Sequence, residues 1–169
     1  LLLQRRAESL LTTPAIGLIA NLLPVRLPVH LANTFHQSNR SSLPLRMVMG
    51  GLGGSITNPL VHLMGMEAYY LAMYDCPDAV HQVMEMATRL YEQYYDFLEA
   101  EHLLLPTNGL SPLAQESFAF TDELPTTAVT RTTQCWGFLE SQETTAVSAE
   151  TFGEFVFPYQ QRLVDRFGL

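Results

Sequence analysis

The sequence predicts an α/β fold, with a mostly parallel sheet and helices packed outside it. Short apolar runs recur at Pro14 to Ala20 (PAIGLIA), His102 to Thr107 (HLLLPT) and Gln134 to Leu139 (QCWGFL), and runs of this length bounded by polar residues are the pattern of buried strands. Between the second and the irregular region before it lies a long segment in which Val80, Val83, Met84, Ala87, Leu90, Tyr91, Tyr94 and Leu98 recur at three-and-four spacing, the period of an amphipathic helix. Strand-length runs alternating with helices imply βα units, in which the loops after the strands carry the chemistry.

Taken in order, the first eleven residues read as a helix and Pro14 to Ala20 as a strand. Asn21 to Asn58 is irregular, with Pro24, Pro28 and Pro44, and reads as a functional loop or an insertion. It ends in GGLGGS, Gly50 to Ser55. That run lacks the lysine of a P-loop and has Ile56 where a dinucleotide motif needs its third glycine, so it reads as a flexible turn. Asn58-Pro59 opens a helix to about Tyr74, and Asp75 and Pro77 open the long helix, which runs to about Glu101. Glu85 and Arg89 form a favourable i,i+4 pair on its outer face. After the third strand candidate, Ser148 caps a helix with Glu150 in its first turn. Its inner stripe is Phe152, Phe155, Val156, Tyr159 and Leu163, and Pro158 should kink or divide it.

Composition narrows the function. With 169 residues, 47% hydrophobic and 15% charged, residues 1–169 suit a single domain with a sizeable core. A net charge of -8 and scattered cations exclude a nucleic-acid partner. All nine cations are arginine, which closes Schiff-base, P-loop and Ser-Lys mechanisms within these residues. Cys76 and Cys135 match no metal or redox spacing and suit a reducing cytoplasm. The five histidines, His30, His36, His62, His81 and His102, show no i,i+4 or Cys-x-x-Cys context, so no metal site is expected here. No apolar run approaches the ~20 residues of a membrane span, and Arg5 and Arg6 follow the first leucines, the reverse of a signal peptide's order. Cytoplasmic localisation and no membrane partner follow as expectations. The absence of Met at residue 1 and the close of RLVDRFGL, a helix end with a new apolar segment starting, read as a piece of a longer protein.

The candidate site follows the third apolar run, where the chain turns polar at Glu140, Ser141, Gln142 and Glu143. Paired carboxylates beside a low-dielectric floor can do acid-base work, so Glu140 and Glu143 are the catalytic candidates. Ser141 and Gln142 are candidates for substrate binding, although an ordinary solvated loop would use the same residues. Asp122 and Glu123, in TDELP, are a second loop pair held by Pro125, for which an exposed turn is the simpler reading and substrate binding the functional one.

Gly65 to Glu101, GMEAYYLAMYDCPDAVHQVMEMATRLYEQYYDFLEAE, resembles the helical stretch of the uroporphyrinogen decarboxylase superfamily, in which an Asp-x-Pro precedes a long helix. TDELP followed by WGFLESQETTAVSAETFGEFVFPYQQRLVDRFGL is similar to the uroporphyrinogen-III decarboxylase-like proteins related to corrinoid methyltransferases. The resemblance covers 65–169, is most specific from Trp136 to Tyr159, and is weak over 1–64. It implies a (β/α)8 barrel, present in part, with its site at the C-terminal ends of the strands. Glu140 to Glu143 take the place where true decarboxylases have Asp-Ser-Trp-Ala-Gly. This chain has Glu-Ser-Gln-Glu there and lacks the arginine-rich N-terminal motif, so corrinoid-linked methyl transfer is the leading expectation and tetrapyrrole decarboxylation the rival. A non-catalytic module that binds a tetrapyrrole or a protein is the alternative of a different class.

The methyltransferase relatives bind zinc through a His-x-Cys pair and a later Cys, the first of which is expected just beyond Leu169. Zinc and a corrinoid are therefore expected of the full-length protein, with a small molecule or a corrinoid protein as substrate. A partial barrel exposes strand edges and apolar helix faces, so the 169 residues are expected to form a homo-oligomer or to cover those surfaces with Asn21 to Asn58, and to lack turnover by themselves.

Overall fold

The computed structural model describes residues 52–109 and 118–169. The α/β barrel expectation is overturned. Among the described residues helices dominate, and the strands are two three-residue segments, β1 (Leu52–Gly54) and β2 (Gly137–Leu139), paired in parallel with no barrel around them. The helices are α1 (Asn58–Met64), α2 (Met66–Asp75), α3 (Pro77–Ala100), α4 (Ala149–Phe155) and α5 (Phe157–Val164).

Pro14 to Ala20 and the first helix lie outside the described residues. His102 to Thr107 is no strand, because its first residues are used to end α3. His102 takes a left-handed backbone (φ 55), its N–H donates to the Glu99 carbonyl at 3.2 Å, and the Leu103 N–H reaches back to the Leu98 carbonyl at 2.9 Å. That is a Schellman terminus with histidine where glycine is usual. Pro106 then removes a donor from a run already too short for a ladder. Gln134 to Leu139 shortens to β2, since Thr132–Gln134 is a 3-10 turn. GGLGGS, read as a turn, instead supplies β1.

The helices follow the pattern more closely. Helix α3, with 24 residues, buries Val80, Val83, Met84, Ala87, Tyr91, Tyr95 and Leu98. The segment read as one helix from Asn58 to Tyr74 is divided at Gly65, whose φ of 86° is helix-breaking and available to glycine. Ser148 Oγ accepts from the Thr151 N–H at 3.2 Å, capping α4, and the stripe expected to bend at Pro158 does break, at Val156, into α4 and α5.

Helices α2, α4 and α5 pack on α3, and two arginines of the α5 segment complete the seam. Arg162 spans Glu85 and both carboxylate oxygens of Glu92 (2.9 Å each), and Arg166 reaches Asp96 at 2.7 Å. Glu99 ties the far end of α3 to the loop before β2, accepting from the Thr132 N–H and hydroxyl at 2.8 Å each. The two strands lie against this helical layer through glycines. A Cβ on Gly54 would strike the Tyr91 ring, and one on Gly137 would strike the ring of Phe167. Glycine at these positions lets two aromatic rings seat directly on the strand backbones.

Candidate functional site

Leu52, Gly53 and Gly54 stand opposite Gly137, Phe138 and Leu139. Two parallel strands deliver their chains at the same end, so Ser55 to Asn58 and Glu140 to Glu143 leave the ladder side by side. One further bond extends the pairing, with the Glu140 N–H donating to the Gly54 carbonyl at 3.3 Å. Side chains alternate along a strand. Gly137 meets Phe167 and Leu139 packs on the core, so Phe138, between them, takes the opposite face of β2. Phe138 is 37% exposed there, and the Trp136 indole Nε1, although sealed from solvent, has no hydrogen-bond partner among the described residues.

The two carboxylates after β2 have unlike surroundings. Glu140 is half-buried. Its backbone carbonyl accepts from Gln160 Nε2 at 3.1 Å, and its carboxylate accepts one side-chain bond among the described residues, from Gln142 Nε2 at 3.4 Å. Glu143 lies on the 3-10 turn Gln142–Thr144 and faces the chain leaving β1. Its Oε1 accepts from Asn58 Nδ2 at 2.6 Å, and its Oε2 accepts from Thr57 Oγ1 at 2.8 Å and from Ser55 Oγ at 3.4 Å. The Tyr70 hydroxyl donates to the Glu143 backbone carbonyl. Burial opposes the charge on Glu143, but the Asn58 amide, a backbone N–H and the two hydroxyls outweigh it and hold the carboxyl below the usual glutamate range.

Phenols complete the surroundings. Tyr91, whose hydroxyl is 3.5 Å from the Ser55 carbonyl, has its ionisation pushed up by burial and then by the charge of Glu140. Tyr69 is 1% exposed, has no partner for its hydroxyl among the described residues, and is driven strongly upward by burial and by the charge of Glu143. Both phenols therefore stay neutral beside the carboxylates.

Ser141 contributes through its backbone carbonyl, which accepts from the Thr144 N–H at 2.9 Å and the Thr144 hydroxyl at 2.7 Å. Asp122 and Glu123 are exposed. Their loop is fixed by buried Asn108, whose amide donates to the carbonyls of Thr121 and Leu124 at 2.9 and 2.7 Å and whose Oδ1 accepts from the Thr121 N–H at 3.0 Å. No hydrogen bond or ion pair among the described residues joins Asp122 or Glu123 to Glu140 through Glu143, so the structure unites Glu140, Gln142 and Glu143 and leaves the TDELP pair apart. Ser55, Thr57, Asn58 and Tyr70 escaped the sequence reading. The one signal for them was the hydroxyl-rich Ser-x-Thr-Asn after the glycines, which reads equally well as a helix start.

Among the described residues no group of three or more His, Cys, Asp or Glu is placed to hold a metal ion. Cys135 is buried with its thiol directed to the carbonyls of Leu105 and Arg131, each at 3.8 Å, and burial first of all pushes that thiol up. No family model matches the chain, and no curated protein or solved structure matches it significantly.

Proposed function

We propose that the paired ends of β1 and β2 form part of the small-molecule site of an enzyme, and that its reaction is corrinoid-linked methyl transfer. The observation that carries the site is Glu140, a half-buried carboxylate directly after a parallel strand, which accepts from the Gln142 amide. Loops at this end of parallel strands are where catalytic groups collect. The reaction class rests on the sequence resemblance of Trp136 to Tyr159.

In this reading Glu140 takes the proton from an acceptor thiol or hydroxyl, Gln142 orients its carboxylate, and Tyr91 stays a neutral neighbour. A corrinoid would supply the methyl group. Exposed Phe138 suits contact with a large ring. The described residues do not make a zinc site, and no step here runs through zinc. The substrate is a small molecule or a corrinoid protein, handled in the cytoplasm by a homo-oligomer.

The test is methyl transfer from methylcobalamin to a panel of thiols by the intact protein that carries this sequence, beside an assay for coproporphyrinogen formation. Glu140→Gln should lower methyl transfer by about 100-fold or more. Porphyrinogen turnover without methyl transfer would replace this reading with decarboxylation, and neither activity in a folded, corrinoid-binding sample would leave a binding module.

A further inference from the structure

The geometry points to a division of labour between the two glutamates: Glu143 is a positioning residue whose carboxylate clasps the loop after β1 to the loop after β2 and so sets where Glu140 and Gln142 stand. This deepens the proposed function and rests on it for the role of Glu140, although the clasp itself can be tested without any turnover.

Three features carry the assignment. The Glu143 carboxylate already accepts from Asn58 Nδ2, Thr57 Oγ1 and Ser55 Oγ, so its lone pairs face protein donors instead of an incoming reactant. Its donors are themselves braced, Ser55 Oγ being 3.0 Å from Thr57 Oγ1 and accepting from the Asn58 N–H at 3.0 Å. The contacts also span sequence separations of 85 to 88 residues, tying together two strand ends that otherwise share six ladder residues. Tyr70 adds a third anchor by holding the Glu143 carbonyl from α2. A carboxylate that accepts several charge-assisted bonds in fixed directions is a rigid joint. Glu140, three residues earlier in the same loop, inherits its position from that joint.

The clasp is polar in one direction, because Asn58, Thr57 and Ser55 donate and Glu143 accepts. Glu143→Gln keeps the shape but points an amide N–H₂ at one of these donors. The double variant Asn58→Asp with Glu143→Gln reverses the polarity, so that the amide introduced on the β2 side donates to the carboxylate introduced on the β1 side. Asp is well placed there, at the first residue of α1, beside the helix N-terminus.

The experiment measures amide hydrogen exchange over residues 140–145 and 55–58, and the pH dependence of methyl transfer, for wild type and four variants. Glu143→Gln should speed exchange in both segments by about tenfold or more and lower kcat while leaving the pH limbs in place. Glu140→Gln should remove a limb and leave exchange unchanged. Glu143→Ala should resemble Glu143→Gln with a larger effect, and Asn58→Asp/Glu143→Gln should restore most of the protection and the rate. If Glu143→Gln leaves exchange as in wild type, or removes the pH limb that Glu140→Gln spares, Glu143 is not a positioning residue. If exchange responds as described while Glu140→Gln keeps full activity, the clasp stands and the catalytic role of Glu140 falls.

Discussion

Tyr95 is fully buried in α3, its ring edge-on to Phe167 at 5.3 Å between centroids, and its hydroxyl has no partner among the described residues. A buried hydroxyl without a hydrogen bond loses its solvation for nothing, and the deficit is about 1–3 kcal/mol. Tyr95→Phe keeps the ring contact and removes the deficit, so it should raise the unfolding free energy by about 1 kcal/mol, seen as a higher denaturant midpoint with an unchanged slope. Glu143 behaves in the opposite way, because its polar group is satisfied. Its folded pKa lies below the ordinary glutamate value of about 4.3, with burial resisting and the Asn58, Thr57 and Ser55 bonds prevailing. A depressed carboxyl pKa adds stability that is present above the unfolded value and lost as pH falls through the folded one. Urea titrations from pH 7 down to pH 3 should therefore show wild type and Glu143→Gln converging on the acid side of pH 4. A gap of constant size throughout would assign the loss to shape and not to charge.

At the scale of elements, helix signals were more legible than strand signals, of which only the run that holds β2 was read as a strand, for reasons that particular residues show. The three-and-four repeat of α3 has twenty-four residues in which to declare itself, and Ser148 announces α4 through a side chain that bonds its own backbone locally. Ser148→Ala should cost about 1 kcal/mol, seen as loss of thermal stability with the fold retained by circular dichroism. Strand β1 had no such local voice. Leu52, Gly53 and Gly54 carry no β propensity, and the segment is a strand because Gly54 admits the Tyr91 ring from one side and β2 pairs with it from another. The apolar run after α3 misled for the converse reason. Three leucines look like a strand, but His102 and Leu103 are consumed in closing the helix. The candidate site shared this split. Glu140, Gln142 and Glu143 were visible as a polar turn after an apolar run. Their partners were not, since Asn58 and Glu143 are 85 residues apart and only the parallel register brings them together.

Across the whole molecule, α5 is fastened to α3 by two different forces. Leu163 is fully buried beneath it, while Arg162 and Arg166 form ion pairs with Glu85, Glu92 and Asp96 along its rim. These pairs are partly exposed, so each is worth at most about 1 kcal/mol at low ionic strength. Arg162→Met, which keeps much of the stem, should lose about that amount in dilute buffer and almost nothing in about 1 M salt, where the screening length is about 3 Å. A salt-independent loss would mean that the arginine acts through packing of its methylenes. No helix among the described residues is long and apolar enough to cross a membrane.

The protein has one tryptophan, and its place next to β2 turns a packing detail into an optical probe. The Trp136 indole N–H is shut away from solvent without an acceptor among the described residues, and the residue immediately precedes β2. Its emission should lie to the blue of a hydrated indole in the native protein and move red on unfolding, following global denaturation without a label. A ligand that settles against exposed Phe138, two residues away, should change that emission while the protein stays folded. Titrating methylcobalamin and simple amides against this fluorophore would report binding beside β2 before any catalytic assay exists.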